Sequence, residues 1–357
     1  MNSEKLSKPK VIKAAVLTEL GKPVEIIENI KLPELQYGQV LVRVDYAGVC
    51  HSQLMEVRGK RGDDPWLPHM LGHEGTGQVV DIGDGVKKVQ AGDEVVLGWI
   101  KGEGINAAGA KYETEDGVCI NSGSVTTFSN YTIVSENRLV KLPEGTPKDL
   151  GVLYGCALPT GAGIIFNEVK PTKKNTIVVF GMGGIGISAL IAASLYKPEL
   201  LIAVDIEEKK IELAKELGAT HTVNANTKNV IEEVLSITNG AGVDYAIEAA
   251  GHSSTIELAF EMVKRGGGRC IFASHPQSGE KICIDPFELI AGKSIEGSWG
   301  GSSIPDRDIP ILGNYYKDGK LKLNKLLSHT YRLDDINNAL DDLENRKIVR
   351  ALIKIEH

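Results

Sequence analysis

A glycine-rich turn between an apolar strand and an apolar helix constrains the fold of this chain more than any other feature. The predicted strand at residues 176–180 is followed by the sequence GMGGIG at 181–186 and by a predicted helix at 185–195. The first glycine of such a turn permits a tight bend, the second lets the backbone approach a pyrophosphate, and the third lets the helix pack closely on the strand. Free N–H groups at the helix N-terminus attract the phosphates. The turn therefore predicts a dinucleotide-binding unit.

An acidic residue ends the next predicted strand, at residues 200–205. Asp205 stands about twenty residues after the turn, where a carboxylate accepts hydrogen bonds from the ribose of NAD and repels the extra phosphate of NADP. The alternative is that Asp205 only caps a turn. Lys210 either reaches the same ribose or lies on a solvated helix face. The residues expected to bind NAD in this region are Gly181, Gly183, Gly184, Ile185, Gly186, Asp205 and Lys210.

Two regions with different patterns of predicted strands and helices indicate an α/β protein of two domains. After about residue 155, apolar strands at 176–180, 200–205, 245–248 and 269–273 alternate with helices, which predicts a doubly wound parallel sheet. Residues 11–140 hold short β-rich runs separated by turns, without a long amphipathic helix, which predicts an antiparallel, barrel-like domain. The tail holds predicted helices at 308–316 and 334–344 and a closing strand at 351–355. We assign 1–157 and 301–357 to the β domain and 158–300 to the NAD-binding domain.

Length, charge and cysteine content restrict the class of protein and its partners. The 357 residues suffice for about two domains. Acidic residues outnumber basic ones by 47 to 40, and the basic residues are scattered, so nucleic acid and anionic membrane are poor partners. Glycines interrupt the uncharged stretch 176–196, which argues against a membrane helix. Five cysteines at irregular spacing and a polar N-terminus favour a reducing cytoplasm.

Three residues in the chain could together bind a metal ion. Cys50 follows a predicted strand, His73 follows a short loop about twenty residues later, and Cys156 stands where the β domain meets the parallel sheet. Two thiolates and one imidazole leave the fourth tetrahedral position of zinc open, as a catalytic site requires. The spacing is too long to identify a zinc site by itself. A buried structural cysteine or histidine is the alternative for each of the three.

Five motifs in order resemble those of the zinc-dependent medium-chain alcohol dehydrogenases, the class I and class III enzymes in particular. The resemblance extends over residues 13–355, nearly the whole chain. The motifs are Gly48-Val49-Cys50-His51-Ser52, Leu71-Gly72-His73-Glu74-Gly75, Ala91-Gly92-Asp93-Glu94-Val95, Gly155-Cys156 through Gly161, and Gly181 through Gly186. The resemblance implies a GroES-like β-barrel catalytic domain, a Rossmann coenzyme domain, and a homodimer or homotetramer.

The same resemblance implies roles for the residues of the first domain. Cys50, His73 and Cys156 are expected to hold one catalytic zinc ion, with Glu74 beside it as an alternative ligand. Ser52 is expected to accept the proton of the substrate alcohol.

Residues that contact the coenzyme follow from the resemblance as well. His51 and Arg350 are expected near the pyrophosphate of the coenzyme. Thr160 is expected to touch the nicotinamide ring.

The chain departs from the family pattern at three places. Residues 99–118 contain none of the four closely spaced cysteines that bind a structural zinc in most members, and only Cys119 lies nearby. We therefore expect no structural zinc. Gln53 replaces the aspartate that orients the zinc-binding histidine, and an amide oxygen accepts a hydrogen bond without bringing a charge. Met55 replaces the histidine that passes the proton to water in class I members.

These observations predict an enzyme that oxidises a small-molecule alcohol to an aldehyde or ketone with NAD+, reversibly. Zinc lowers the pKa of the alcohol, and hydride passes to the coenzyme. One alternative is a dehydrogenase acting on a glutathione adduct, since the basic segment 58–61 lies near the expected substrate entrance. That segment is otherwise a solvated loop. A second alternative is a non-catalytic NAD-binding protein with a redox-sensing or regulatory role.

Overall fold

The computed structural model describes residues 7–357, which form two compact units. Within these residues, unit 1 comprises 7–156, Ile304–Gly319 and Leu323–His357, and unit 2 comprises Ala157–Ser303 and Lys320–Lys322. In unit 1, β-strands predominate, whereas unit 2 alternates strands and helices.

The strands of the described residues are numbered in chain order. They are β1 (Val11–Leu17), β2 (Glu25–Lys31), β3 (Gln39–Val49), β4 (His69–Met70), β5 (Gly75–Ile82), β6 (Glu94–Leu97), β7 (Lys111–Glu113), β8 (Cys119–Asn121), β9 (Tyr131–Ser135), β10 (Leu139–Lys141), β11 (Thr176–Phe180), β12 (Leu200–Asp205), β13 (His221–Asn224), β14 (Tyr245–Glu248), β15 (Arg269–Phe272), β16 (Ser294–Gly297), β17 (His329–Arg332) and β18 (Ala351–Lys354).

The α-helices of the same residues are numbered likewise. They are α1 (His51–Val57), α2 (Lys148–Gly151), α3 (Ala157–Gly163), α4 (Gly184–Tyr196), α5 (Glu208–Glu216), α6 (Val230–Ile237), α7 (Ser253–Met262), α8 (Pro286–Ile290), α9 (Pro305–Lys317) and α10 (Ile336–Glu344). Short 3-10 turns and one π-helical turn, Ile164–Val169, complete the regular structure.

Unit 1 contains a closed barrel and a second sheet. The barrel runs β1-β2-β7-β8-β4, and the second sheet runs β10-β6-β5-β3-β18-β17, with β9 also paired to β3. Most pairs are antiparallel, as predicted, but β4 pairs with β8 and β17 pairs with β18 in parallel. Long stretches of chain separate the members of both parallel pairs, so that no hairpin dictates an antiparallel arrangement.

Helix α1, which follows β3, lies on the core of unit 1. Its apolar residues Leu54 and Val57 are buried with Phe128 and with Ile336 and Leu340 of α10. Sequence analysis did not predict α1, because a helix of seven residues has too few turns for a periodic pattern. This packing fixes the orientation of α1, which carries several candidate site residues.

Unit 2 contains the predicted parallel sheet. Its order is β13-β12-β11-β14-β15-β16, and every neighbouring pair is parallel. The runs TIVVF of β11 and LLIAVD of β12 are apolar and β-branched, and their central residues are buried, as expected for a sheet covered on both faces. From β11 the chain first adds β12 and β13 on one side and then returns to add β14, β15 and β16 on the other side. The candidate coenzyme turn, which follows β11, therefore lies at a topological switch point.

Helices α3 and α4 pack closely within unit 2 at a glycine. A Cβ atom added to Gly161 would lie 2.7 Å from Cβ of Ser188 and 2.8 Å from the backbone nitrogen of Ala189. Only glycine therefore permits this helix contact without displacement of a neighbour.

No single helix among residues 7–357 is long and apolar enough to cross a membrane. The helical segments Lys148–Gly155 and Ala157–Val169 reach that length and hydropathy only when they are counted together across a bend.

Candidate metal and coenzyme sites

The three candidate metal ligands converge in unit 1. One ligand atom from each of Cys50, His73 and Cys156 lies within 4.8 Å of the others. Cys50 immediately precedes α1, His73 lies between β4 and β5, and Cys156 follows the 3-10 turn Val152–Gly155. The Nε2 atom of His73 lies 3.3 Å from Sγ of Cys156.

The donor set and its electrostatics fit a zinc ion. The thiol of Cys156, with the imidazole of His73, holds the pKa of Cys50 well below its usual range. The same contact with Cys50, together with burial, raises the pKa of Cys156 well above its usual range. Without a metal, one of the two sulfurs therefore retains its proton. A divalent cation that prefers sulfur and imidazole nitrogen would replace that proton and stabilise both thiolates.

Gln53 orients the imidazole of His73. Its side chain is buried on α1, and its amide contacts Nδ1 of His73. The amide nitrogen of Gln53 faces Nδ1, and the amide oxygen has no hydrogen-bond partner among the described residues. Because Nε2 of His73 faces the thiols, a metal-binding His73 carries its proton on Nδ1, and the amide of Gln53 must then turn over to accept that proton through its oxygen. Burial alone would lower the pKa of His73, but the hydrogen bond to Cys50 and nearby negative charge raise it. Gln53 thus occupies the supporting position that sequence analysis considered, as a neutral acceptor.

A buried ion pair lies beside the thiols. Glu74 is fully buried, Arg350 is 4% exposed, and Nη2 of Arg350 contacts both carboxylate oxygens of Glu74. Burial raises the pKa of Glu74, an effect that the charge of Arg350 opposes. Burial by itself would lower the pKa of Arg350, yet the charges of Glu74 and the two cysteines raise it above its usual value.

Strand pairing brings the ion pair and the metal ligands together. Ala47 of β3 pairs with Gly75 of β5, and Val49 of β3 pairs with Ala351 of β18. Glu74 and Arg350, which directly precede these partners, therefore lie at the end of β3 that leads into Cys50. Sequence analysis expected Glu74 near the metal and Arg350 near the coenzyme, but it missed their mutual contact because 276 positions separate them.

Two further candidate residues lie in the first turn of α1. The Oγ atom of Ser52 is buried and has no hydrogen-bond partner among the described residues. A buried hydroxyl without a partner is unfavourable, and its pairing with a bound substrate would remove that penalty. His51 is exposed, whereas Met55 is buried.

The glycine turn of unit 2 has the geometry that sequence analysis predicted. Gly181 has a φ of 84°, which favours glycine, and a Cβ atom on Gly186 would collide with the carbonyl oxygen of Gly181. A Cβ atom on Gly183, in contrast, would meet nothing within 4 Å. The second glycine therefore leaves open space that a bound group can approach. Protein packing alone does not explain why glycine stands at this position.

The remaining coenzyme candidates of unit 2 lie in different surroundings. Asp205 accepts backbone N–H groups of Met182 at 2.6 Å and of Ile206 at 2.8 Å, which fixes its carboxylate at the end of β12. Oδ1 also accepts the N–H of Glu207 at 2.9 Å, so that Oδ2 is the oxygen that retains a lone pair for a further donor. Thr160 is buried, and its Oγ1 has no hydrogen-bond partner within residues 7–357. Lys210 is half-buried on α5.

Polar side chains hold the segment that lacks the four structural-zinc cysteines of the family. Oγ of Ser135 accepts the N–H of Ala107 at 2.8 Å and donates to the carbonyl of Ile105 at 2.9 Å. The Glu136 carboxylate accepts the N–H of Ile105 at 2.7 Å. Burial alone would raise the pKa of Glu136, but this and two further backbone N–H groups lower it. Protein hydrogen bonds thus organise this segment.

The basic segment after α1 is paired with acidic residues of unit 1. Arg58 lies 2.7 Å from Glu344 and 2.5 Å from Asp341, Lys60 lies 3.6 Å from Glu344, and Arg61 is close to a carboxylate of α1. The charges that sequence analysis considered for an anionic substrate are therefore largely compensated within the protein.

Comparison with known protein families finds two matches along the chain. The model described as "Alcohol dehydrogenase GroES-like domain" matches residues 36–144, and the model described as "Zinc-binding dehydrogenase" matches residues 184–312. The two matches lie in unit 1 and mainly in unit 2, respectively.

Curated relatives resemble the chain over almost its full length. An S-(hydroxymethyl)glutathione dehydrogenase of Paracoccus denitrificans is 31% identical over 96% of this chain and 99% of the relative. An enzyme of the same name from Synechocystis is 32% identical at the same coverage.

Solved structures of the same kind superpose on the chain. A benzyl alcohol dehydrogenase from Acinetobacter calcoaceticus has a TM-score of 0.87 at 33% identity, covering 98% of this chain and 100% of its own. An alcohol dehydrogenase zinc-binding domain protein from Burkholderia ambifaria has a TM-score of 0.88 at 30% identity, covering 97% and 99%.

The open space at Gly183 leads to a prediction for coenzyme binding. We expect Gly183→Ala to keep the stability of the wild type but to weaken NADH binding by at least about tenfold, because a methyl group occupies the approach of the pyrophosphate. NADH fluorescence titration measures the affinity. The contrasting variant is Gly161→Ala, which should lower the midpoint of thermal unfolding because of its packing contacts. Unchanged NADH affinity in Gly183→Ala would contradict this role.

The ion pair leads to a prediction for stability. Arg350→Met leaves the buried carboxylate of Glu74 without its countercharge, and we expect the free energy of unfolding to fall by about 3–5 kcal/mol. Urea denaturation of the metal-free protein measures this loss. The double variant Glu74→Gln with Arg350→Met should recover much of it, since no buried charge remains. A double variant as unstable as Arg350→Met would refute this electrostatic explanation.

Proposed function

The chain belongs to the zinc-dependent medium-chain alcohol dehydrogenase family and transfers hydride between an alcohol and NAD, and we propose that Cys50, His73 and Cys156 hold one catalytic zinc ion in it. The observation that carries this proposal is the convergence of two thiol sulfurs and an imidazole nitrogen within 4.8 Å. Three protein ligands leave one tetrahedral position for the substrate. The chemistry that zinc supplies at such a site is Lewis-acid polarisation of the substrate oxygen.

Protein groups around the metal ligands are proposed to handle the proton and the buried charge. Ser52 accepts the proton of the alcohol, and its unpartnered buried Oγ supports this role. Met55 has no titratable group, so the proton leaves by a route that does not use position 55. Glu74, held by Arg350, contributes a nearby negative charge and is an alternative ligand.

Coenzyme binding is proposed for the glycine turn and the end of β12 in unit 2. The pyrophosphate lies against the turn formed by Gly181, Gly183, Gly184, Ile185 and Gly186, where α4 begins. Asp205, fixed by backbone N–H groups, accepts from the ribose and selects NAD over NADP. Lys210 reaches toward the same ribose, and Thr160 contacts the nicotinamide.

We propose that the chain has one catalytic zinc ion and no structural zinc of the four-cysteine kind. The segment at 105–107 is held by Ser135 and Glu136 rather than by cysteines. These hydrogen bonds replace the stabilisation that a four-cysteine site supplies in other members of the family.

Replacement of one thiol tests the catalytic site. After dialysis against metal-free buffer, we expect about one zinc per chain in the wild type and almost none in Cys156→Ser, because a neutral hydroxyl is a poor zinc ligand. NAD+ reduction should fall by at least roughly a thousandfold. Cys119→Ser, at an exposed cysteine, is the matched control and should retain zinc and activity. An active wild type without zinc would refute the assignment, and an inactive, zinc-free protein that binds NADH would favour the non-catalytic alternative.

For the substrate we propose an uncharged alcohol. Curated relatives named S-(hydroxymethyl)glutathione dehydrogenase favour a glutathione adduct, whereas a solved relative is named benzyl alcohol dehydrogenase. The pairing of Arg58 with Asp341 and Glu344 leaves this part of the basic segment without free charge for a peptide carboxylate. This observation favours the uncharged class.

A substrate panel distinguishes the two classes. We expect kcat/KM for benzyl alcohol or another primary, secondary or polyol alcohol to exceed that for S-hydroxymethylglutathione by at least about tenfold. The rate of NADH formation measures each value. A higher kcat/KM for the glutathione adduct would instead identify the chain as a glutathione-dependent dehydrogenase.

We propose a homo-oligomer, a dimer or a tetramer, that covers one edge of the unit 2 sheet. Strand β16 ends the sheet, and the preceding helix α8 has no buried residue although it is apolar. Phe287 is 58% exposed and Ile290 is 80% exposed. Such an edge beside exposed apolar side chains is well suited to a second copy of the chain.

The oligomer proposal predicts the effect of a charge at α8. We expect Ile290→Glu to lower the molar mass measured by light scattering to that of a smaller assembly, because a carboxylate opposes burial of this surface. Ile311→Glu, at an exposed residue of α9 in unit 1, should leave the mass unchanged. A monomeric wild type, or an unaltered mass for Ile290→Glu, would exclude this interface.

We further propose a reducing compartment, the cytoplasm, as the location of the protein. All five cysteines are free thiols, and Cys50 and Cys156 are needed in that form as metal ligands.

A further inference from the structure

A second group of metal-ligating side chains lies in unit 1, apart from the cysteines. It consists of Glu56 near the end of α1, Asp64 in the following loop, and His69, the first residue of β4. One ligand atom from each lies within 4.8 Å of the others. Neither hydride transfer nor coenzyme binding uses these residues.

His69 cannot satisfy both of its ring nitrogens as a neutral imidazole. Nδ1 lies 2.9 Å from the carbonyl oxygen of Met70, and Nε2 lies 2.9 Å from Oδ2 of Asp64. Both oxygens accept hydrogen bonds, whereas a neutral imidazole has one N–H to donate. The backbone carbonyl requires that N–H at Nδ1, so the lone pair of Nε2 points at a carboxylate. A cation, either a proton or a metal ion, is required between these two atoms.

The ligand atoms are held in place by burial and by backbone contacts. His69 is 8% exposed. Oδ1 of Asp64 accepts the N–H of Trp66 at 2.9 Å, which leaves Oδ2 directed at the imidazole. Oε1 of Glu56 lies 3.9 Å from Nε2 of His69. Two ligands of one tetrahedral zinc ion lie about 3.3 Å apart, and the observed separations of 2.9 and 3.9 Å lie on either side of that value.

The local charge also favours a divalent cation. Among residues 7–357, Arg61 supplies the one Lys or Arg group within 4 Å of the carboxylates of Glu56 and Asp64. Arg61 lies 3.8 Å from Oε2 of Glu56, and its side chain is 47% exposed. With His69 neutral, the group retains an uncompensated negative charge. Arg61 can turn toward solvent when a cation binds, since its contact with Glu56 is long and its side chain is half exposed.

We propose that Glu56, Asp64 and His69 form a second divalent-cation site, one that binds zinc through one imidazole and two carboxylates. This donor set suits zinc and, with lower affinity, cobalt or manganese. The site goes beyond the proposed catalytic function, because it shares no ligand with the cysteine cluster. An ion there ties α1, which carries Ser52, to β4, which leads to His73. It thereby stabilises the segment between two parts of the active site.

Equilibrium dialysis against zinc chloride tests the proposal. At a free zinc concentration that saturates the wild type, we expect two zinc ions per chain in the wild type and one in His69→Gln and Asp64→Asn. Dialysis against metal-free buffer removes the ion that is held without a thiolate and leaves the one at the cysteines. Asp64→Asn keeps the acceptor for Trp66 and removes only the charge. Asp63→Asn, at an exposed neighbouring carboxylate, is the matched control and should bind two.

Cobalt distinguishes this site from the catalytic one. Cobalt bound to thiolates gives an intense sulfur-to-metal charge-transfer band, whereas cobalt at an imidazole and two carboxylates gives only weak ligand-field bands. We expect Cys156→Ser to lose the intense band and keep the weak ones, and His69→Gln to show the reverse. The failure of one site is therefore seen separately from the failure of the other.

Thermal unfolding controls for misfolding of the variants. Without added metal, His69→Gln and Asp64→Asn should have circular dichroism spectra like that of the wild type. Added zinc should raise the midpoint of the wild type and Asp63→Asn more than that of His69→Gln. Equal zinc binding by wild type and both site variants would overturn the proposal. A zinc-saturated wild type whose His69 carries protons on both ring nitrogens, seen by nitrogen NMR, would overturn it as well, since a proton would then occupy the site.

Discussion

The gathering of ionisable side chains around His73, where Glu74, Cys156 and Arg350 are buried, is the constraint on which unit 1 depends. A buried charge is stable only when it is paired or bound to a metal. Arg350 compensates Glu74, whereas Cys50 and Cys156 compete for one proton until a cation takes its place. The pairing of β3 with β5 and β18 creates this arrangement, so the chemistry of the site depends on the register of the sheet.

Unit 2 obeys a different constraint, which is steric. The backbone at the end of β11 must turn sharply and then pack against a helix, and glycine alone permits both at Gly181 and Gly186. Gly183 is free of such packing, which is the reason that it marks a ligand surface. Unit 1 thus offers charge and metal ligands, while unit 2 offers backbone N–H groups and one oriented carboxylate.

Local patterns made much of the fold predictable. The strands at Thr176–Phe180, Leu200–Asp205 and Tyr245–Glu248 have the bounds that their apolar runs indicate, because a buried parallel strand must be apolar on both faces. The short helix α1 and the parallel pair β4-β8 escaped prediction, since neither leaves a periodic signal. The predicted helix at 334–344 begins as a 3-10 turn, Leu333–Asp335, before α10. The α/β fold class and membership of the dehydrogenase family were predicted correctly, and the family matches confirm both.

The sequence by itself determined the glycine turn, the carboxylate that follows it and the residue types able to bind zinc, because these depend on a few neighbouring positions. Only the tertiary structure decided which distant residues meet. The contact of Glu74 with Arg350, the support of His73 by Gln53, and the pairing of the basic segment with α10 join residues far apart in the chain. Such contacts follow from strand register and helix packing, which the whole core sets and no local pattern encodes.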